Sequence, residues 1–427
     1  MFARFAKDRR FEVIRKTIQE LMGAQGEANA QSMAIRLIEQ YDKLDAAQQL
    51  AFFEYLAKAL NPDPLKVKEV ADQYCAQPTA QSLQALLQTV EPGRQELFRR
   101  INRAPNGTRA IVGMRRTLLT HLKAKPELRA IDADMYHLLS SWFNPGFLEL
   151  HQLTWDSPAR LLEKLIQHEA VHAIDGWDDL QRRLQPDRRC YAFFHPQLPG
   201  EPLIFVEVAL VPTVATDVGV LIDKNAEVRT PKQFKAAIFY SISNCQPGLR
   251  GVSLGNFLIK RVAQKLIDEI PGMQVFSTLS PIPGFTQWLD AGASLPDQVL
   301  PPDSQRKLEA ARKLLCLPGA RWEDRLAQDW LPERCSPTEK AALMTLCGHY
   351  LACYTLKPNG DAVAKFHLSN GATLHQINWA ADVSPKGLKQ SAGIMVNYLY
   401  ELDRVEAQHE AFRLGQVSVG KKVTRLL

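Results

Sequence analysis

Residues 236–269 constrain the fold more than any other stretch, because an apolar strand, a glycine-punctuated break and a long amphipathic helix follow one another without interruption. Ala236-Ala237-Ile238-Phe239-Tyr240-Ser241-Ile242-Ser243 is rich in β-favouring residues, and Asn244-Cys245-Gln246-Pro247-Gly248 breaks it. Arg250-Gly251-Val252-Ser253-Leu254-Gly255-Asn256 then leads into a helix that runs from Phe257 to about Glu269. A helix start offers unpaired N–H groups and about half a positive charge, and small residues let an anion reach them. The turn is therefore a candidate phosphate cradle. Its Arg-x-x-Ser-x-Gly spacing is neither G-x-G-x-x-G nor G-x-x-x-x-G-K-[ST]. A second strand-like run, Met273 to Ser280, halts at Pro281-Ile282-Pro283-Gly284, since proline cannot donate to a ladder. That stop leaves the Ser280 hydroxyl at a strand end, where open α/β sheets place ligands.

The first third of the chain reads as helix. Asp45 caps a run in which Leu50, Phe53, Leu56, Ala57 and Leu60 share a face. Leu83, Leu86, Leu87 and Val90 repeat at helical spacing before Pro92-Gly93. Ile111, Met114, Leu118, Leu119 and Leu122 do so before Pro126, and Met135, Leu138, Leu139 and Trp142 before Asn144-Pro145-Gly146. Short breaks between such segments make a bundle. The boundary falls near Pro145 to Pro158, giving a helical domain over 1–150 and an α/β domain over 151–427. In the latter, strands are expected at 191–194, 203–210, 236–243, 273–280, 363–368 and 373–379, with a helical insertion from Ser304 to Leu356. The class is α+β.

Composition narrows the function classes. A net charge of +6, from 52 basic and 46 acidic residues, is too slight for a nucleic-acid binder but permits one local polyanion site. The seven cysteines are odd in number and lack C-x-x-C pairs, which fits reduced thiols in the cytoplasm. No apolar run approaches the roughly 18 residues of a membrane span. His168-Glu169-Ala170-Val171-His172 matches H-E-x-x-H, a zinc motif when both histidines share a helix face. It lacks an evident third ligand and the extended metalloprotease pattern, so no metal is assigned.

The turn is similar to the Q/R-x-x-G-x-G/A element of GNAT-type acyl-CoA-binding folds, with Ser253 in place of the middle glycine. Longer strings resemble the malonyl-CoA decarboxylase family: Phe239-Tyr240-Ser241-Ile242-Ser243, Gly251-Val252, Leu254-Gly255, Phe257 to Val262, Leu279-Ser280-Pro281-Ile282-Pro283-Gly284-Phe285, Phe366-His367-Leu368 and Ile377-Asn378-Trp379. The resemblance runs in order from about Thr154 to Tyr400. It implies a helical bundle followed by a GNAT-like acyl-CoA-binding domain. The implied reaction is loss of carbon dioxide from malonyl-CoA to give acetyl-CoA, bearing on fatty acid metabolism. No cofactor is needed, because the thioester delocalises the carbanion. The helical domain would serve homo-oligomer assembly.

By the same resemblance, Ser280 and His367 are the catalytic residues. Arg250, Gly251, Val252, Ser253, Leu254, Gly255 and Asn256 hold coenzyme A, and Ser241 and Tyr400 line the acyl site. Ser253 departs from relatives that carry glutamate there, so no carboxylate role transfers to it. From spacing alone, His367 on a strand between Phe366 and Leu368 reads as structural; the family match makes it the proton donor. The division of labour between Ser280 and His367 stays open. Two other readings remain: an acyl-CoA-dependent acyltransferase, and a non-catalytic acyl-CoA-binding protein.

Overall fold

This computed structural model describes residues 2–24, 26–252, 254, 258–295, 300–316, 319 and 321–427, and of residues 2–9 the backbone alone. It divides into two compact units. The first comprises 1–149 with two returning segments, 194–203 and 245–254; the second comprises 150–193, 204–244 and 255–427.

The first unit is built from α-helices Phe2–Gly23, Glu27–Asp42, Ala46–Ala59, Pro64–Ala76, Ala80–Val90, Gly93–Asn102, Gly107–His121 and Arg129–Trp142. Asp45 starts the third of these through a reciprocal cap: its carboxylate accepts the Gln48 N–H at 3.0 Å while the Gln48 side chain accepts the Asp45 N–H at 3.1 Å. The buried face of that helix is Gln48, Phe52, Phe53 and Leu56, rotated slightly from the expected stripe. Each phenylalanine so buried contributes roughly 1.5–3 kcal/mol. Ile111, Met114 and Leu118, and Met135, Leu138 and Leu139, pack inward as their periodicity requires. The Ala80–Val90 helix forms where its pattern places it but buries none of its residues; Leu83 and Leu87 stay 39% and 59% exposed.

The second unit carries a mixed sheet of β1 (Glu149–Leu153), β2 (Arg188–Phe194), β3 (Ile204–Val211), β4 (Ala236–Asn244), β5 (Val275–Thr278), β6 (Thr373–Asn378) and β7 (Met395–Leu399). Among the described residues these lie in the order β1-β2-β3-β4-β5-β7-β6. β2, β3 and β4 pair antiparallel, β4 and β5 pair parallel, and β7 runs antiparallel to both β5 and β6. The helix Leu258–Glu269 connects the parallel pair, as a crossover requires. Every residue of β3 is buried, the mark of a strand covered on both faces. The helices Pro302–Leu315, Trp322–Ala327 and Pro337–Ala352 form the expected insertion.

One expected strand is a helix. Residues Ala362–Ser369 coil because Asp361 accepts the N–H groups of Val363 and Ala364, and Ala364, His367 and Leu368 are buried at i, i+3 and i+4. Gly371, at φ +79°, turns the chain out of it; a Cβ there would stand 2.0 Å from the Val405 carbonyl oxygen. β1 and β7 were not anticipated.

Candidate active site

The β4–β5 ladder ends at Phe239 opposite Thr278, with one further bond from the Leu279 N–H to the Phe239 carbonyl. β4 continues to Asn244, whereas Ser280 leaves β5 and bridges to Val396 of β7 through bonds of 2.8 and 3.0 Å. The two parallel strands part at this point, and Ser280 stands at the parting.

Its hydroxyl belongs to a buried neutral chain. Ser280 Oγ donates to Thr278 Oγ1 at 2.8 Å, and Thr278 Oγ1 also accepts the Tyr398 backbone N–H at 3.2 Å. With its single proton directed there, Ser280 Oγ accepts from His367 Nε2 at 3.1 Å. The neutral imidazole then has only an acceptor at Nδ1, which takes the Tyr400 hydroxyl proton at 2.9 Å. The Tyr398 ring stacks on the imidazole at 4.7 Å. Ser280, His367 and Tyr400 are 5%, 3% and 4% exposed. Burial pushes the His367 pKa down to about 3, because a dry site disfavours the imidazolium. Burial likewise raises the Tyr400 hydroxyl well above its usual value.

Ser241 lies in a different cluster of the same unit. Its hydroxyl donates to both oxygens of Glu169, at 2.8 and 2.7 Å, and Ser243 donates to the same carboxylate at 3.1 Å. The backbone N–H groups of Val171 and His172 add bonds of 2.7 and 2.9 Å. This arrangement corrects the reading of H-E-x-x-H as a helix face: the helix Ala159–His168 ends at its first histidine, and Glu169 is extended. The two histidines therefore share no helix face. Among the described residues no group of three or more His, Cys, Asp or Glu is placed to hold a metal ion.

The glycine turn lies in the first unit. Gly251 has φ +84°, a conformation side-chain-bearing residues avoid. Arg115 Nη1 donates to the carbonyls of Gly248 and Arg250 at 2.8 and 2.9 Å, while its Nε pairs with Asp132 at 2.8 Å. Val252 and Leu254 are buried and Arg250 is exposed. Ser253, Gly255 and Asn256 lie outside the described residues.

Sequence reasoning missed Thr278, and met Glu169 only as the would-be base of the H-E-x-x-H motif. Thr278 had a readable signal, since it is two residues before Ser280 on one strand and so on the same face. Asn397 was also missed; its amide donates to the Thr278 carbonyl at 2.7 Å and fixes that strand end.

Comparison with known proteins decides the kinship. Residues 146–427 match the model of the malonyl-CoA decarboxylase C-terminal domain, and residues 60–143 that of the N-terminal domain. The chain belongs to the malonyl-CoA decarboxylase family. A mitochondrial malonyl-CoA decarboxylase of Anser anser anser is 38% identical over 346 residues, 75% of this chain and 66% of that protein. The Mus musculus protein of the same name is 38% identical over 327 residues, 73% of this chain and 66% of its own length. The chain thus spans about 66% of the length of these curated relatives. Among solved structures, malonyl-CoA decarboxylase from Rhodopseudomonas palustris superposes with a TM-score of 0.85 at 41% identity, covering 97% of this chain and 99% of that one. The Agrobacterium vitis family member gives 0.81 at 38%, with the same coverage.

Proposed function

We propose that this protein decarboxylates malonyl-CoA to acetyl-CoA and carbon dioxide. The observation that carries the reading is the buried hydrogen-bonded chain of Tyr400, His367, Ser280 and Thr278 at the parting of two parallel strands. In the reaction the bond between the α-carbon and the carboxylate breaks, its electron pair enters the thioester as an enolate, and a proton bonds to the α-carbon. One proton is consumed overall. The Ser280 hydroxyl, by turning from Thr278, and the His367 Nε2–H, by turning from Ser280, can each donate to a malonyl oxygen and hold it so that the breaking bond stands across the carbonyl plane. Donors aimed at the developing enolate are worth on the order of 3 kcal/mol each in a water-excluded site.

His367 needs a proton source beyond its resting state, because burial keeps it neutral. The malonyl carboxylate, brought beside the imidazole, favours the imidazolium and raises that pKa. The proton taken up from solvent then sits on Nδ1, where the Tyr400 oxygen turns to accept it, and the Nε2 proton passes to the α-carbon as carbon dioxide leaves. Tyr400 holds Nδ1 and orients the ring.

The turn from Arg250 to Asn256 is assigned to the coenzyme A diphosphate; the Arg250 and Val252 N–H groups are already given to the Pro247 and Leu249 carbonyls, which leaves the exposed Arg250 side chain as a donor. Ser241, whose hydroxyl goes to Glu169, frames the acyl site through that carboxylate. We assign a cytoplasmic location and a homo-oligomer, assembled through the exposed leucines of the helical unit; among the described residues no helix is long and apolar enough to cross a membrane.

The test is incubation with malonyl-CoA alone. Carbon dioxide release with no acceptor present is expected; strict dependence on an amine acceptor overturns the reading in favour of acyl transfer.

A further inference from the structure

We infer that Asp361 is a positioning residue for the Ser280–His367 pair, one buried carboxylate fastening both the helix that carries His367 and the turn that follows Ser280. The inference rests on the reading of that pair as the catalytic couple.

Asp361 is 3% exposed. Its Oδ1 accepts the N–H groups of Val363 at 3.0 Å and Ala364 at 2.9 Å, which starts the Ala362–Ser369 helix. Its Oδ2 faces the other way and accepts the Gly284 N–H at 3.3 Å and the Tyr350 hydroxyl at 3.4 Å. A helix cap needs only the first set. Asp63 and Ser336 cap their helices at exposed positions with one oxygen accepting one backbone N–H. The second oxygen of Asp361 therefore does something a cap does not require.

What it holds is the turn next to Ser280. Gly284 is joined to Ser280 by Pro281-Ile282-Pro283, and the two prolines fix φ near −65°, so the segment moves as one piece. Gly284 also approaches so closely that a Cβ would stand 2.3 Å from the Tyr350 hydroxyl and 3.8 Å from Asp361 Oδ2. On the other side, His367 rides a rigid helix under two turns from its cap. A shift of either tether displaces one member of a contact that is 3.1 Å long.

The tethers can be cut separately. Asp361→Asn keeps an acceptor for Val363 and Ala364 but sets an amide N–H against the Gly284 N–H. Asp361→Ser keeps the cap and falls short of Gly284. Asp361→Ala loses both tethers. Turnover of malonyl-CoA and melting temperature are measured for each variant. For the Asn and Ser variants we expect kcat to fall about 10- to 100-fold, because misplacement near 1 Å costs that much, with KM within about threefold. All three variants should melt somewhat earlier, since each frees the Gly284 N–H and the Tyr350 hydroxyl, the Ala variant most; kcat is therefore taken per folded molecule. Wild-type kcat in Asp361→Asn, or losses that only track the folded fraction, overturn the inference.

A readout apart from activity is the ¹⁵N spectrum of histidine-labelled protein, with His367 assigned by its absence in His367→Gln. The wild type should show one fixed tautomer protonated at Nε2, and Asp361→Asn an averaged one. An unchanged spectrum overturns the inference. A wild type that shows the fixed tautomer but no turnover refutes decarboxylation and leaves the spectrum to decide Asp361.

Discussion

Ser241 and Ser280 are both buried, on the adjacent strand β4 and at the end of β5, yet their hydroxyls have opposite surroundings. Ser241 is bound to a carboxylate that already collects Ser243 and two backbone N–H groups. Every member of that cluster is committed, and the charge on Glu169 is matched by donors. Ser280 instead sits in a neutral chain whose members pass one proton each and whose imidazole is kept uncharged by burial. A cluster closed around an anion resists a second anion. A neutral chain carries no charge to repel one, and its donors can turn to an incoming anion such as the malonyl carboxylate. The contrast separates a framework from a reactive centre although both display serine, histidine and strand-end geometry.

The largest effect that tests this contrast is on turnover. His367→Ala should lower kcat by about 10²–10⁴-fold, the usual worth of a positioned acid, with little change in affinity for acetyl-CoA. Single-turnover kinetics beside acetyl-CoA binding check it. Unchanged turnover would remove His367 from the mechanism and erase the distinction.

Glu169→Ala should act on the other side of the comparison. It leaves two backbone N–H groups and two serine hydroxyls without their acceptor, and each unsatisfied buried donor costs about 1–3 kcal/mol. The expected result is a destabilisation of about 3 kcal/mol or more, with turnover per folded molecule within about threefold. Denaturant unfolding followed alongside activity measures both. A loss of turnover with stability intact would make Glu169 part of the chemistry.

These clusters also show how far the sequence could be read. The strand Ala236–Asn244 and the helix Leu258–Glu269 were legible because their apolar periods and breakers are strong and local. Ser280 was legible because Pro281 forces a strand to stop. His367 was placed on the wrong element: Val363 to Leu368 reads equally as strand or helix over six residues, and the deciding groups are the Asp361 carboxylate before it and Gly371 after it. The role of Glu169 was not legible, since its partners are 72 and 74 residues away in sequence. The exposed face of Ala80–Val90 was equally hidden, because periodicity states which residues share a face and not what covers them.

Acid sensitivity sharpens the contrast further. Burial pushes the His367 pKa from the ordinary 6.5 down to about 3, so between those values the unfolded chain binds up to one more proton than the folded one. Stability from this site is therefore complete above pH 6.5 and declines as pH falls toward 3, by about 1.4 kcal/mol per unit. His172, lowered to about 4 chiefly by burial, adds a parallel decline. Unfolding of wild type and His367→Gln between pH 7 and 5 should diverge, the wild type losing stability faster. Parallel curves would mean that the imidazole takes up its proton over the same pH range folded and unfolded, and so is not held neutral by burial.

The smallest effect is the most discriminating for Ser241. Removing its hydroxyl takes from Glu169 one proton shared between its two oxygens but leaves Ser243, Val171 and His172 as donors. Ser241→Ala should therefore cost about 1 kcal/mol of stability and leave KM for malonyl-CoA within about twofold. A direct bond from this hydroxyl to the acyl group would instead raise KM about 10- to 150-fold, since a lost bond to a charged partner is worth roughly 1.5–3 kcal/mol. Melting and KM measured on the same preparation separate the two, because a framework residue moves the first and a substrate contact moves the second.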